Sequence, residues 1–107
     1  MEFKNCKIIV YVPSSHAGKI RNALAENGAG KLGKYDNCTF STKGVGRYRA
    51  LEEAKPYIGK KGVIEEVAEE KIETICLSEN VEKVISALKK VHPYEEPAID
   101  IIPLLNE

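Results

Sequence analysis

The sequence predicts an α+β domain in which two amphipathic helices lie on one face of an antiparallel sheet. Three observations predict it. A stripe of Val81, Val84, Ile85, Leu88 and Val91 has strong helical spacing. A second, weaker stripe joins Ala17, Ile20 and Leu24. The remaining apolar residues fall in β-branched stretches between turn signals. With 107 residues, 43% of them hydrophobic, the chain holds one core and reads as a single domain over residues 1–107.

The elements follow in order. Lys4 to Val12 reads KNCKIIVYV, with Cys6, Ile8, Val10 and Val12 facing one way and Lys7, Ile9 and Tyr11 the other. Pro13 ends this strand, and Ser14 or Ser15 can cap the first helix. Gly28 stops that helix, and residues 27–34 form a glycine-rich loop. Tyr35 to Thr42 is a strand, Lys43–Gly46 a turn, and Arg47–Arg49 a returning strand. Glu52 to Gly62 is loop, and Val63 to Leu77 is the longest β-like stretch. Ser78 opens the second helix and Pro93 ends it. Ala98 to Leu105 closes the chain as an edge strand carrying Pro103. The order β-α-β-β-β-α-β is a ferredoxin-like sandwich with an extra β-hairpin. Its expected core contains Ile8, Val10, Ile20, Leu24, Val84, Ile85, Leu88 and Ile101.

Composition excludes several functions. Sixteen basic and sixteen acidic residues cancel, so no global field draws nucleic acid or an acidic membrane surface. No apolar run approaches the roughly 18 residues of a membrane helix. Residues 1–12 lack the pattern of a signal peptide, and the expected location is cytoplasmic. Cys6, Cys38 and Cys76 are odd in number and widely spaced, which argues for small buried hydrophobes over disulfides or zinc ligands. His16 and His92 are too few for a histidine metal cluster within one chain. No nucleophile stands at a recognisable spacing from a base, so no catalytic residue, metal ligand or cofactor is expected.

Four motifs carry candidate sites. Gly28-Ala29-Gly30-Lys31-Leu32-Gly33 matches G-x-G-x-x-G but follows a helix and precedes a strand, the reverse of a dinucleotide fingerprint. Its amides around Gly28 and Gly30 can still cradle a small anion. Lys43, Arg47 and Arg49 flank the expected turn and can grip a phosphate. Glu65, Glu66, Glu69 and Glu70 read as a solvated acidic face that discourages edge aggregation. His92-Pro93-Tyr94-Glu95-Glu96-Pro97 is a corner stiffened by two prolines, and its helix C-terminal position favours a charged His92. The candidate ligand residues are therefore His92, Tyr94, Glu95, Glu96, Gly28, Gly30, Lys43 and Arg47.

The block VHPYEEPAIDIIPL resembles a signature of the Nif-three-like (interacting-factor-three-like) family. The likeness extends through GAGKLGKYDNCTFSTKGVGRYRALEEAKPYIG and EEVAEEKIETICL, so it covers roughly residues 6 to 105. It is to the domain inserted in the longer bacterial members, which is similar in fold to the trimeric CutA and PII proteins. The family's paired metal ions belong to domains flanking the insert, so no metal ligand carries over to any residue here. The resemblance implies a CutA/PII-like fold and self-assembly, first as a trimer and second as a dimer.

Two function classes follow. One is a non-catalytic oligomeric binding or regulatory module, taking a small anionic ligand. The other is a divalent-metal-binding protein of CutA type, or a detached accessory domain of a metal-dependent hydrolase. Assembly has a physical motive too. Fifteen residues from Val63 to Leu77 span roughly 50 Å when extended, against about 35 Å for a compact domain of this length. The interface is expected to include Ile9, Tyr11 and part of 63–77.

Overall fold

In the computed structural model, which describes residues 3–105, alternation in the first apolar stretch makes strand β1 (Asn5–Pro13). Helix α1 (Ala17–Glu26) follows after a 3₁₀ turn at Ser14–His16. Strands β2 (Phe40–Arg49) and β3 (Ile64–Leu77) come next, joined by a long loop. A second 3₁₀ turn, Ser78–Asn80, leads into helix α2 (Val81–Val91), and β4 (Ile99–Leu104) closes the fold. The sheet order is β2-β3-β1-β4, antiparallel throughout, with β4 at an edge where Pro103 is tolerated.

The core lies between the helices and one face of the sheet. Cys6, Ile8, Val10 and Val12 of β1 meet Ile72 and Cys76 of β3. Ile20 and Leu24 of α1 and Val84 and Leu88 of α2 close over them, all nearly inaccessible to water. Ile85 and Ile101 pack at the margin of this cluster. The cysteines behave as expected in part: Cys6 and Cys76 are buried, Cys38 is half-buried, and none of the three is in a disulfide.

Two expectations about helix ends are resolved differently. Neither serine caps α1 through its side chain; Ser15 Oγ lies 2.9 Å from His16 Nδ1 instead. Gly28 does stop α1. Its φ of 97° lets its N–H reach the Ala25 carbonyl and the Ala29 N–H reach that of Leu24, a Schellman closure.

The expected turn at Lys43–Gly46 does not form, and the seven-element order becomes β-α-β-β-α-β. These residues lie inside the single strand β2. Gly46 permits close approach rather than reversal: a Cβ there would stand 2.2 Å from the Glu69 side chain across the ladder. Glycine pairs commonly mark turns, yet an isolated strand glycine also serves where another group approaches closely. The extra hairpin is instead the far end of β2 and β3. Residues Ile64–Ala68 of β3 pair with β2 alone, because β1 reaches only to Glu69. This two-stranded arm contributes to a shape of 45 × 24 × 22 Å.

Glu70 is not on a solvated face. It points to the helix side, is 8% exposed, and accepts a hydrogen bond at 2.9 Å from Arg21 Nη1 of α1. Ile9, expected to need a neighbouring subunit, is already 7% exposed in the single chain.

Because Leu88 is wholly buried between α2 and the sheet, Leu88→Ala is expected to destabilise by roughly 2 to 5 kcal/mol. Urea denaturation measures it, and a loss below about 0.5 kcal/mol would remove α2 from the core.

Candidate functional site

Strand alternation places the site on the sheet face opposite the helices. Val10 and Val12 are in the core, so Tyr11 between them faces away. Tyr11 stands opposite Lys71, two residues from Glu69, and Tyr48 stands opposite Glu65, so all of these share that outer face. Loop 50–63 folds back over it and is tied down at several points. The Gly62 N–H donates to Ala50 at 2.8 Å, and the Tyr48 hydroxyl donates to the Ile58 carbonyl at 2.7 Å. The Lys55 N–H donates to Glu95 Oε1 at 2.9 Å, which joins loop to corner.

Between loop, corner and sheet lies a cavity of about 370 Å³. Tyr11, Tyr48, Tyr57 and Tyr94 supply its aromatic walls, and Glu69, Glu95 and Glu96 its carboxylates. Tyr94 meets Tyr48 edge-on at 5.8 Å between ring centroids and Tyr57 at 6.4 Å. The Tyr94 hydroxyl donates to Glu69 Oε2 at 2.6 Å. Burial first, and then this bond to Glu69, keep the Tyr94 phenol protonated well above its usual range. Burial likewise raises Tyr48, with Glu65 adding to it.

His92 holds the corner from beneath. It is 7% exposed, with Nε2 2.8 Å from the Tyr11 carbonyl and Nδ1 3.1 Å from the Tyr94 N–H. A carbonyl can only accept and an N–H can only donate, so the ring is neutral with its proton on Nε2. The helix dipole does not win here. Burial lowers the proton affinity of His92, outweighing the backbone bond to Tyr11 and the nearby Glu69 charge. His92 is therefore a brace for Tyr94, separate from the cavity wall.

The expected ligand residues divide accordingly. Tyr94, Glu95, Glu96 and Arg47 line one cavity. Gly28, Gly30 and Lys43 do not. The anion cradle is lost because its amides are spent on backbone carbonyls: Gly28 on Ala25, Ala29 on Leu24, and Gly30 on Ile75 at 2.7 Å. Gly30 is required for another reason. At φ 85° its missing Cβ would sit 3.0 Å from the Cys38 backbone. Lys43 and Arg47 belong to one face of a strand, and four positions separate them by about 13 Å. Arg47 Nε is 3.7 Å from Glu66 Oε2 across the ladder, so the two cations do not form a phosphate grip. Among the described residues, no group of three His, Cys, Asp or Glu side chains is placed to hold a metal ion. Sequence reasoning missed Tyr48, Tyr57 and Glu69 as site residues. Tyr48 and Glu69 are ordinary strand residues and Tyr57 an ordinary loop residue, and no local pattern reveals that the loop folds above the strands.

The fold is that of a CutA-like α+β domain. CutA of Archaeoglobus fulgidus superposes with a TM-score of 0.68 at 24% identity, over 96% of this chain and 86% of that one. CutA1 of a psychrotrophic Shewanella reaches 0.72 at 17% identity, over 100% and 87%. More particularly, the chain is homologous to a segment of the Nif-three-like proteins. It is 48% identical over 101 residues to the GTP cyclohydrolase 1 type 2 homolog of Halalkalibacterium halodurans, matching 94% of this chain and 27% of the relative. A Bacillus cereus protein related to NIF3 superposes with a TM-score of 0.84 at 41% identity, over 97% of this chain and 26% of that one. The chain thus spans about a quarter of the length of these relatives. No protein-family model matches it.

The neutral His92 gives a pH prediction. Its folded pKa lies below the unfolded value of about 6.5. Its contribution is complete above about pH 6.5 and is lost as pH falls from there through the folded pKa. Urea midpoints are expected to drop between pH 7.5 and pH 5.5, and His92→Gln to flatten that slope. An unchanged slope in the variant would mean that other groups set it.

Proposed function

We infer that the chain is a small, non-catalytic, oligomeric binding or regulatory module whose ligand site is the cavity beneath loop 50–63. The observation that carries this is the cavity itself. Its volume suits a small ligand, and among the described residues its lining holds tyrosines and glutamates but no serine, cysteine or histidine nucleophile. Two of its phenols are held protonated, Tyr94 and Tyr48, and Glu69 accepts the Tyr94 hydrogen bond. Such phenols bind and orient; they supply no proton shuttle near neutral pH. The name of the relatives refers to whole proteins about four times longer than this segment.

Assembly completes the reading. The arm of β2 and β3 exposes Val45 and Ile64 on the helix side, 70% and 51% accessible, beyond the reach of either helix. Both sheet edges, β2 and β4, carry backbone groups that a second copy can pair. Among closed assemblies, the resemblance to the CutA and PII proteins puts a trimer first and a dimer second. Cysteines outside disulfides support a cytoplasmic setting, and no helix among the described residues is long and apolar enough to cross a membrane.

Sedimentation equilibrium at micromolar concentration is expected to give three times 11.9 kDa. Twice that mass would replace the trimer by a dimer, and a persistent monomer would remove assembly altogether. Val45→Glu with Ile64→Glu, both at exposed positions, should leave the circular dichroism spectrum intact and dissociate the oligomer.

Phosphatase, esterase and nucleotide-hydrolase assays with zinc, manganese or magnesium should show background rates. Turnover that survives repurification and disappears on Glu69→Gln would make the cavity an active site.

A further inference from the structure

The sequence expectation was an anionic ligand, and the cavity has the opposite character. Two of the donors of its wall are already used. The Tyr48 proton goes to the Ile58 carbonyl and the Tyr94 proton to Glu69. Apart from the Tyr11 and Tyr57 hydroxyls, what remains facing the space is acceptor chemistry: carboxylate oxygens and the negative faces of aromatic rings.

The charges agree. Three carboxylates, Glu69, Glu95 and Glu96, line the cavity. Arg47 is the one cationic side chain among the described lining residues, and its guanidinium is engaged with Glu66, which is not a lining residue. Lys55 contributes its backbone N–H to Glu95. An anion entering here would meet repulsion and find few donors.

The rings agree as well. Tyr48, Tyr57 and Tyr94 are mutually tilted, at 68° and 59° about Tyr94, so they wall the space from different directions. His16 packs edge-on against Tyr57 at 5.7 Å and steadies its outer side. Tilted aromatic rings around an acidic space are the arrangement that binds ammonium groups, by attraction of positive charge to ring faces. A bare metal ion is less suited, because no three-ligand cluster is present among the described residues.

We propose that the cavity binds a small organic cation, an ammonium group on a compact apolar body, with Tyr48, Tyr57 and Tyr94 as the cage and Glu69 and Glu95 as counter-charges. The assignment rests on the cavity being a ligand site and adds its chemical class. Tyr57 forms the half-exposed outer wall, at 52% accessibility, and is the side chain through which the cage opens to solvent.

The test uses the whole chain in its native assembly and two probes of equal shape. Choline carries the charge; 3,3-dimethylbutan-1-ol is its neutral counterpart. Both are titrated at millimolar concentration and low salt, with the tyrosine ring resonances followed by NMR. Choline should saturate shifts at Tyr48, Tyr57 and Tyr94 and bind about tenfold more tightly than the alcohol. Tyr57→Ala and Glu95→Gln should each weaken choline several-fold while circular dichroism and oligomer mass stay unchanged. Equal binding of the alcohol, or preferential binding of inorganic phosphate or ATP at the same rings, would overturn the cation assignment and keep the cavity as a ligand site. Shifts absent with every probe would overturn both.

Discussion

Fourteen residues of continuous strand must find partners, and most of the architecture answers that demand. β3 runs about 46 Å at the usual rise per residue, longer than either neighbour can match. It pairs with β1 at one end and with β2 at the other, overlapping both only from Glu69 to Glu73. Near β1 the strand has helices on one face and becomes core. Beyond Glu69 it has no helix above it, and its even-numbered residues remain in water. One strand therefore supplies the buried Ile72 and Cys76, the buried Glu70 with its half-exposed partner Arg21, and the exposed arm. The proposed assembly takes its motive from that last part.

The same strand fixes the site through alternation. Glu70 and Glu69 are neighbours in sequence but lie on opposite faces of the sheet. Glu70 meets Arg21 beneath α1, and Glu69 meets the Tyr94 hydroxyl under the loop. Each carboxylate is held by a different kind of donor, a guanidinium in one case and a phenol in the other. The phenol leaves the negative charge of Glu69 in place at the cavity, where a guanidinium would have cancelled it.

His92 connects the two layers. It lies just after the last turn of α2, on the core side, yet its ring touches the backbone of Tyr11 and of Tyr94. A neutral imidazole with one donor and one acceptor nitrogen satisfies both groups; an imidazolium would lose the acceptor and face the Tyr94 N–H with a second proton. The two prolines of the corner limit its backbone, and the histidine sets the direction in which Tyr94 leaves it. Solved structures with this fold at 17% and 24% identity indicate how loosely side chains need to be specified for the sandwich itself.

The sequence by itself determined the sandwich. Period-two alternation in β1, the helical stripe of α2 and the stop at Gly28 are local patterns, and each depends on residues a few positions apart. Tyr94, Glu95 and Glu96 were legible as a constrained corner for the same reason. The tertiary structure alone decided where loop 50–63 lies, and with it the cavity, since Tyr57 meets Tyr94 across 37 positions of chain and no local spacing encodes that contact. It also decided that Gly44 and Gly46 sit within a strand, because the reason for Gly46 is the Glu69 side chain on the facing strand. The charge state of His92 was decided in the same way. A helix end favours the imidazolium by a local dipole, but the Tyr11 carbonyl and the Tyr94 N–H call for a neutral ring, and desolvation in the packed fold favours the same form.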